Sequence, residues 1–314
     1  MISIGSSWKN GDVLISQKLC LGTVQFGQCY GIKNERHRQP TQEECFAILD
    51  AARAQGVAYL DTASIYGTSE QVLGAYGLAG KGLRVCTKLR PADTARSASE
   101  EAAFVVAEAR RSLERLGLPR LYGYLLHRAA DMTRPGVLDG LAQLRALGLA
   151  EHIGVSIYEP EEALTVVRQP ELDLIQIPYN ALDQRLDRVG FFDEVAKRKA
   201  SGRTFEVFAR SAFLQGLLLM DADHLPGNVR PAAPFVRRFQ DIAQAHGFSP
   251  AEAAMLYSLT HPGIDHVVFG VDTVEQIQTN LAIAEKSDGF AACAAALRGA
   301  FDDVPREVVV PSLW

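Results

Sequence analysis

The sequence predicts one α/β domain, residues 1–314, in which eight strand–helix units close into a (β/α)8 barrel, the TIM-barrel architecture. Three observations favour this fold. Short apolar runs alternate with helical patterns along nearly the whole chain, most of these helical patterns end near a glycine, and the composition does not shift between units. Strands that are apolar throughout indicate a parallel sheet covered on both faces, and eight units indicate a closed barrel.

The elements follow in order. Asn10–Gly11 is a turn dipeptide and predicts a β-hairpin ahead of the barrel. The first barrel strand is expected within Lys18–Gly27, and a capping-box pattern beginning at Thr41 predicts the helix Glu43–Gln55. The next strands are predicted at Val57–Leu60, Leu83–Leu89, Leu121–His127, Glu151–Ser156, Leu172–Pro178, Thr204–Ala209 and Ile264–Gly270. The next helices are predicted at Ser69–Tyr76, Glu100–Leu116, Val137–Leu147, Pro160–Val167, Gly190–Ser201, Pro250–Thr260 and Val274–Ala284.

Two segments lie outside this alternation. Gln215–Pro234 is the longest irregular stretch, and connections of this length are usually functional loops or disordered segments. A C-terminal helical extension is predicted at Phe290–Phe301, followed by an apolar tail that packs back onto the domain. The structural alternative is an open doubly wound sheet, but the turn Gly22–Gly27 lacks the G-x-G-x-x-G pattern expected there.

Composition and charge exclude several classes of function. The net charge of −5 gives no general attraction to nucleic acid or to anionic membranes, and basic pairs such as Arg237–Arg238 fall on predicted helices. Five cysteines without a CxxC spacing suggest neither a disulfide framework nor a zinc site, and we expect no metal. With no secretion signal and no apolar run of about 20 residues, a cytoplasmic protein is expected.

Four polar residues fall at the ends of three successive predicted strands. These are Asp61 and Tyr66 after the second strand, Lys88 at the end of the third and His127 at the end of the fourth. Taken singly, each has an ordinary structural explanation, such as a turn cap or a packing residue. Because the carboxyl ends of barrel strands meet on one face, we expect the four to lie together.

The four side chains suit acid catalysis on an oxygen atom. A nearby ammonium stabilises a phenolate, so Lys88 is expected to lower the pKa of Tyr66, while Asp61 holds the ammonium in place. His127 can donate a hydrogen bond to a carbonyl oxygen, and the set lacks the nucleophile–base pair that hydrolysis requires. A Schiff-base lyase that uses Lys88 is an alternative, but it leaves Tyr66 without a role.

These residues stand in a pattern that resembles the aldo-keto reductase superfamily. The resemblance extends from about Leu19 to Asn280 and rests on Asp61-Thr-Ala-x-x-Tyr-Gly-x-Ser-Glu-x-x-Leu-Gly74, Thr87–Lys88, Leu125–His127, Gly154–Ser156 and Gln176. It implies reversible NAD(P)H-dependent reduction of an aldehyde or ketone, such as a sugar or another small aldehyde. Tyr66 would be the proton donor, Lys88 and Asp61 its tuning pair, and His127 the group that orients the carbonyl.

The resemblance also implies a set of cofactor-binding residues. Ser156 and Gln176 correspond to the nicotinamide carboxamide site, although Ile157 follows where relatives commonly have asparagine. Arg210 stands where relatives often place an aromatic ring, so it would stack on the nicotinamide or turn toward the pyrophosphate. The remaining cofactor contacts are expected beside the pyrophosphate at Ser211, Leu214 and Gly216, and at the adenosine phosphate at Gly270, Asp272, Thr273, Gln276 and Asn280.

Two considerations oppose each other on cofactor choice. Asp272 and Gln276 stand where many relatives offer a cation for the 2′-phosphate, which favours NAD(H). Most family members prefer NADP(H), and backbone N–H groups bind a phosphate without a cation. We therefore expect NADP(H), with NAD(H) as the alternative.

The substrate and the biological role stay open. The substrate pocket is expected to include Phe26, Tyr30, Ile65, Tyr158 and parts of Leu217–Phe235, a mixture that suits a sugar aldehyde or a hydrophobic carbonyl. The partner is thus a small-molecule carbonyl or alcohol, and the oligomeric state is undetermined. The alternative function is a cofactor-binding, redox-sensing regulatory subunit of the potassium-channel β type.

Overall fold

Eight parallel strands close into a barrel in the computed structural model, which describes residues 9–10, 13–32, 38–91 and 96–314. Neighbours in the chain are neighbours in the barrel, and the last strand pairs with the first. The strands are β1 (Lys9–Asn10), β2 (Val13–Leu14), β3 (Leu19–Gly22), β4 (Tyr59–Asp61), β5 (Arg84–Leu89), β6 (Leu121–Leu126), β7 (Ala150–Ser156), β8 (Leu174–Pro178), β9 (Glu206–Arg210) and β10 (His266–Gly270). The predicted barrel is confirmed.

Strands β1 and β2 form the predicted N-terminal hairpin, with Lys9 opposite Leu14 and Asn10 opposite Val13. Gly11, in the predicted turn, lies outside the described residues.

Helices cover the outside of the barrel. They are α1 (Gln42–Ala54), α2 (Ser69–Tyr76), α3 (Ala98–Leu116), α4 (Val137–Ala146), α5 (Pro160–Arg168), α6 (Arg185–Arg188), α7 (Phe191–Ala200), α8 (Ala233–Ala245), α9 (Pro250–Leu259), α10 (Val274–Ala284), α11 (Ala291–Leu297) and α12 (Arg306–Val309). Capping boxes begin α1 at Thr41, α3 at Ser97 and α9 at Ser249. None of the helices in the described ranges is long and apolar enough to cross a membrane.

Several boundaries differ from the prediction. The first barrel strand ends at Gly22, because Phe26 N–H bonds back to the Thr23 carbonyl and residues 24–26 form a 3-10 turn. Strand β4 extends through Asp61, so that carboxylate stands on the strand and not in the loop. His127 lies one residue beyond β6.

The segment Gln215–Pro234 is more ordered than expected, since it contains 3-10 turns at 214–219, 222–224 and 230–232. Helix α8 follows directly and was absent from the eight predicted helices, although Arg237 and Arg238 were expected on a helix and lie on it. The C-terminal helix stops at Leu297, four residues early, and residues 308–310 of the tail are buried as expected.

Strand register decides which side chains face one another. Asp61 pairs with Cys86, and side chains alternate along a strand, so Lys88, two residues further, faces the same side as Cys86. Ser156 pairs with Gln176, and Pro178 pairs with Arg210. The polar residues that the sequence placed at the strand ends are therefore collected at one end of the barrel.

Helix α2 approaches the end of α3 very closely at Gly74. A Cβ atom added to Gly74 would lie 2.0 Å from the backbone carbonyl oxygen of Arg115. Because that atom belongs to the backbone of a packed helix, it cannot rotate away.

We expect Gly74→Ala to destabilise the fold. Alanine improves helix propensity by about 1 kcal/mol, but overpacking against backbone costs roughly 1–3 kcal/mol. The 2.0 Å contact places the cost at this site at the upper end of that range. Urea and thermal unfolding of the variant measure the difference. Gln71→Ala on the exposed face of the same helix is the control and should change stability by less than about 0.5 kcal/mol; a Gly74→Ala variant more stable than wild type would refute the close-packing argument.

Candidate active site

A cavity of about 630 Å³ opens at the carboxyl ends of the barrel strands. It is lined by the predicted residues Asp61, Tyr66, His127, Ser156, Gln176, Arg210, Ser211, Gly216, Gly270, Asp272, Thr273, Gln276 and Asn280. Two of the predicted catalytic and cofactor-binding residues do not line the cavity. Lys88 lies beneath Asp61, and the Leu214 side chain is fully buried in the core, so no cofactor contact by that side chain is supported.

Asp61 and Lys88 form a buried ion pair. Lys88 Nζ donates to both carboxylate oxygens of Asp61 at 2.8 Å and to the Thr62 carbonyl at 2.9 Å. Burial lowers the pKa of the Lys88 ammonium, but Asp61 and Tyr66 outweigh burial and raise it above its ordinary value. All three N–H groups of the ammonium are thus satisfied, which compensates the desolvation of the charge.

Tyr66 is half-buried beside this pair. Lys88 Nζ lies 5.2 Å from the centre of its ring, and the His127 ring meets it edge-on at a centroid distance of 5.8 Å. Burial raises the pKa of the phenol, the Lys88 ammonium opposes the rise and Asp61 adds to it, so the pKa stands above its ordinary value. Lys88 acts in the expected direction, but the expected lowering of the pKa is wrong because burial is stronger.

The turn that carries Tyr66 is held by backbone contact. Added Cβ atoms would lie 1.6 Å from the Tyr66 carbonyl oxygen at Gly27 and 2.0 Å from the Gly27 carbonyl oxygen at Gly67, which has φ +51°. Ser69 closes the turn, since its hydroxyl lies 2.9 Å from those of Thr23 and Thr62. Only glycine at both positions allows this approach.

His127 carries no charge near neutral pH. Burial lowers its pKa to about 3, with further lowering by the positive charges of Lys88 and Arg210. Its Nδ1 atom is buried and has no hydrogen-bond partner in the described part of the chain. A neutral imidazole keeps one N–H donor, which is the form that a carbonyl oxygen accepts from.

Ser156 and Gln176 continue this polar network along the cavity floor. Gln176 Nε2 donates to Asp61 Oδ1 at 2.7 Å, and the Ser156 hydroxyl donates to Gln176 Oε1 at 3.3 Å. Gln25 also lines the cavity, beside Gly270, and its Oε1 is buried without a partner among the residues that the structure describes. The Gln176 amide and the Ser156 hydroxyl suit a ligand that carries a carboxamide.

Arg210 is held at the cavity wall by contacts within the protein. Its Nη2 donates to the Ile157 carbonyl at 2.9 Å, its Nη1 donates to the Ser211 hydroxyl at 3.3 Å, and its guanidinium lies 4.2 Å from the centre of the Tyr158 ring. The planar group therefore stacks on a protein ring at the cavity wall.

The loop after Arg210 is conformationally strained. Ser211, Leu214 and Gln215 have φ values of 67°, 48° and 54°, and within the described ranges no other residue except glycine has a positive φ. Gln215 Nε2 donates to the Tyr30 hydroxyl at 3.0 Å, which links this loop to the one after β3. Strain of this kind is concentrated at ligand-binding segments.

The start of α10 forms the far end of the cavity. The Thr273 hydroxyl accepts from Gln276 N–H at 3.2 Å, and the Gln276 side chain accepts from Asp272 N–H at 2.7 Å. Two of the backbone donors expected to bind a phosphate are therefore bonded within the chain.

The structure also brings unpredicted residues to the cavity wall. They are Gly22, Thr23, Val24, Gln25, Gly31, Ala212, Phe213, Gln215, Ala251, Val268, Phe269, Glu275 and Thr279, and Leu219 of the predicted Leu217–Phe235 segment also lines the cavity. Thr279 lies three residues after Gln276 on α10, a helical spacing that could have identified it. Of the expected substrate-pocket residues, Tyr30 and Tyr158 line the cavity, whereas Phe26 is fully buried and Ile65 points elsewhere.

No group of three or more His, Cys, Asp or Glu side chains that could hold a metal ion occurs in residues 9–10, 13–32, 38–91 and 96–314.

The chain is similar to a known protein family and to several known enzymes. A model of the aldo/keto reductase family matches residues 18–293. The chain is 26% identical over 198 residues to an L-glyceraldehyde 3-phosphate reductase of Escherichia coli (strain K12), and this alignment covers only 57% of each protein. It is 27% identical over 295 residues to a D-threo-aldose 1-dehydrogenase of a Pseudomonas species, which covers 81% of this chain and 88% of that relative.

A solved aldo-keto reductase from Bacillus halodurans, in its holo form, has the same fold. The two structures superpose with a TM-score of 0.66 at 19% identity, over 90% of this chain and 94% of the other. Because the family model matches most of the sequence and the barrel is shared, the protein belongs to the aldo/keto reductase family of NAD(P)H-dependent oxidoreductases.

Proposed function

We propose that this protein reduces an aldehyde or ketone to the alcohol, reversibly, with Tyr66 as the proton donor. The observation that carries the proposal is the convergence of a protonated phenol, a paired ammonium and a neutral imidazole at one end of the cavity. None of the relatives named above is a channel subunit, and we do not pursue the regulatory alternative.

The residues present fit a nicotinamide dinucleotide. Ser156 and Gln176 would bind the carboxamide end, and the loop from Ser211 to Gly216 with the start of α10 would bind the phosphates. When bound, the reduced cofactor supplies the hydride. The protein's part is to hold the carbonyl in place and to deliver a proton to its oxygen.

Tyr66 performs the proton transfer in this proposal. Its raised pKa keeps the phenol protonated at neutral pH. As negative charge builds on the carbonyl oxygen, the O–H bond of Tyr66 breaks, the proton passes to that oxygen and a phenolate remains. Lys88 stabilises this phenolate, so the ammonium contributes most when the transfer is under way.

His127 orients the carbonyl. Its neutral imidazole donates a hydrogen bond to the same oxygen. It does not compete with Tyr66 as an acid, because with a pKa of about 3 the imidazolium has already lost its acidic proton at neutral pH. This hydrogen bond would help to hold the carbonyl in one position for the hydride and proton transfers.

For the cofactor, we propose NADP(H), with NAD(H) as the alternative, on the strength of the family. The physical argument from a backbone phosphate site is weaker than the sequence suggested, because Asp272 N–H is bonded to Gln276. For the substrate, we propose a small aldehyde or, in the reverse direction, a sugar or polyol. Oxidation of NADPH and NADH against a panel of aldehydes and sugars tests both proposals.

Replacing Tyr66 by phenylalanine removes only the transferable proton. We expect kcat to fall by roughly 10²- to 10⁴-fold, the usual contribution of general acid catalysis, while cofactor affinity stays near wild type. Steady-state kinetics and cofactor-induced fluorescence quenching measure the two effects. Tyr76→Phe is the matched control, because that hydroxyl bonds Asp50 outside the cavity; an unchanged kcat in Tyr66→Phe would assign the proton to another donor.

His127 should remain neutral throughout the working pH range. Its pKa of about 3 predicts no change of ring shifts between pH 5 and 8 in NMR spectra of protein with ¹⁵N-labelled histidine. The exposed His224, whose pKa is raised by Asp221, should titrate within the same range and serves as the internal reference. Titration of the His127 ring near its ordinary pKa of about 6.5 would remove the argument for a neutral donor.

Asp272 tests the site proposed for the 2′-phosphate. If this side chain lies beside the phosphate, Asp272→Arg should improve affinity for NADPH relative to NADH by roughly 10-fold, the value of one charge-assisted hydrogen bond. Parallel titrations with the two cofactors give the ratio. Asp288→Arg carries the same change of charge on an exposed residue outside the cavity wall, and an equal ratio in both variants would place the 2′-phosphate elsewhere.

A further inference from the structure

Arg210 is the only lysine or arginine on the cavity wall within the described residues. The other charged groups there are carboxylates, namely Asp61, Asp272 and Glu275. Asp61 is neutralised by Lys88 beneath it. Arg210 therefore makes its end of the cavity locally positive.

The guanidinium is anchored, but its hydrogen-bonding capacity is not exhausted. Two of the five N–H groups of an arginine bond the Ile157 carbonyl and the Ser211 hydroxyl. The described residues provide no carboxylate partner for Arg210. A fixed, partly exposed guanidinium without a counter-ion is suited to bind an anion in two-point geometry.

The Arg210 guanidinium lines the same cavity as Tyr66 and His127. Burial is the largest influence on the pKa of Tyr66, Tyr30 and His127. The positive charge of Arg210 is a smaller influence, and it lowers the pKa of all three. The guanidinium itself stacks on Tyr158. It thus lies among the aromatic side chains around the proton donor.

We propose that Arg210 binds the carboxylate or phosphate of a short aldehyde or ketone whose carbonyl lies at Tyr66 and His127. This rests on the carbonyl reduction proposed above and narrows its substrate class to anionic carbonyl compounds. The cofactor pyrophosphate carries the same anionic oxygen chemistry, and a role of Arg210 in binding it is the competing outcome. The guanidinium is anchored at the Ile157 carbonyl and stacked on Tyr158, a residue expected in the substrate pocket, and this favours the substrate over the pyrophosphate.

Pairs of anionic and neutral substrates distinguish binding of the substrate anion by Arg210 from binding of the cofactor pyrophosphate. Succinic semialdehyde and its neutral methyl ester form one pair, and glyceraldehyde 3-phosphate and glyceraldehyde form another. We expect wild type to have higher kcat/KM for the anion of each pair. In Arg210→Gln the ratio of anionic to neutral kcat/KM should fall by roughly 10- to 100-fold, mainly through KM, as expected for one lost charge-assisted contact.

Two further variants control for charge and geometry. Arg210→Lys keeps the charge without the planar fork, so it should retain part of the preference. Arg128→Gln removes one positive charge near His127 from outside the cavity wall and should leave the ratio near that of wild type. A circular dichroism spectrum and a thermal unfolding midpoint near those of wild type show that Arg210→Gln is folded, and Arg210→Lys provides the comparison if it is not.

The outcomes are distinct. A ratio that is unchanged in Arg210→Gln, with both classes of substrate reduced, overturns the assignment of Arg210 alone. Equal losses on anionic and neutral substrates, together with a weaker cofactor Kd, also overturn it and assign Arg210 to the cofactor. Failure of wild type to reduce any carbonyl compound overturns the proposed function itself.

Discussion

The buried ion pair between Asp61 and Lys88 is the interaction on which the site depends. Neither charge is stable alone in the barrel, and removing one partner of such a pair typically costs about 3–5 kcal/mol. The pair is also shared, because Asp61 accepts from Gln176 and Lys88 bonds Thr62. Strands β4, β5 and β8 are thereby tied together at their carboxyl ends, so the same contacts fix the barrel floor and the reacting groups.

This arrangement reconciles two demands on Tyr66. Burial keeps the phenol protonated in the resting protein, whereas the nearby ammonium favours the phenolate that the proposed proton transfer would leave. The sequence argument considered only the second effect and predicted a lowered pKa. With both effects present, the phenol is a weak acid at rest, and its conjugate base is stabilised at the moment when charge develops.

Local patterns predicted where Asp61, Lys88 and His127 lie in the barrel. Asp61, Lys88 and His127 stand at or next to the ends of apolar strands, and strand periodicity alone orients them. Helix α8 and the ordered turns before it were missed, because proline and glycine dominate the local sequence while packing determines the structure there. The positive φ of Leu214 and the burial of its side chain likewise depend on packing, and no sequence pattern reveals them.

The conformation of the loop after β9 is also determined by contacts with residues that are distant in the sequence. Residues in sparsely populated backbone regions each cost about 1–3 kcal/mol, so the loop from Ser211 to Gln215 requires compensation from elsewhere. Asn180 donates to the Ser211 carbonyl, Leu214 is buried and Gln215 bonds Tyr30. Arg210 is fixed at the root of this loop by Ile157 and Tyr158, residues more than 50 positions earlier in the chain. Its orientation therefore follows from the pairing of β7, β8 and β9 side by side, and Arg210 forms a fixed part of the cavity wall.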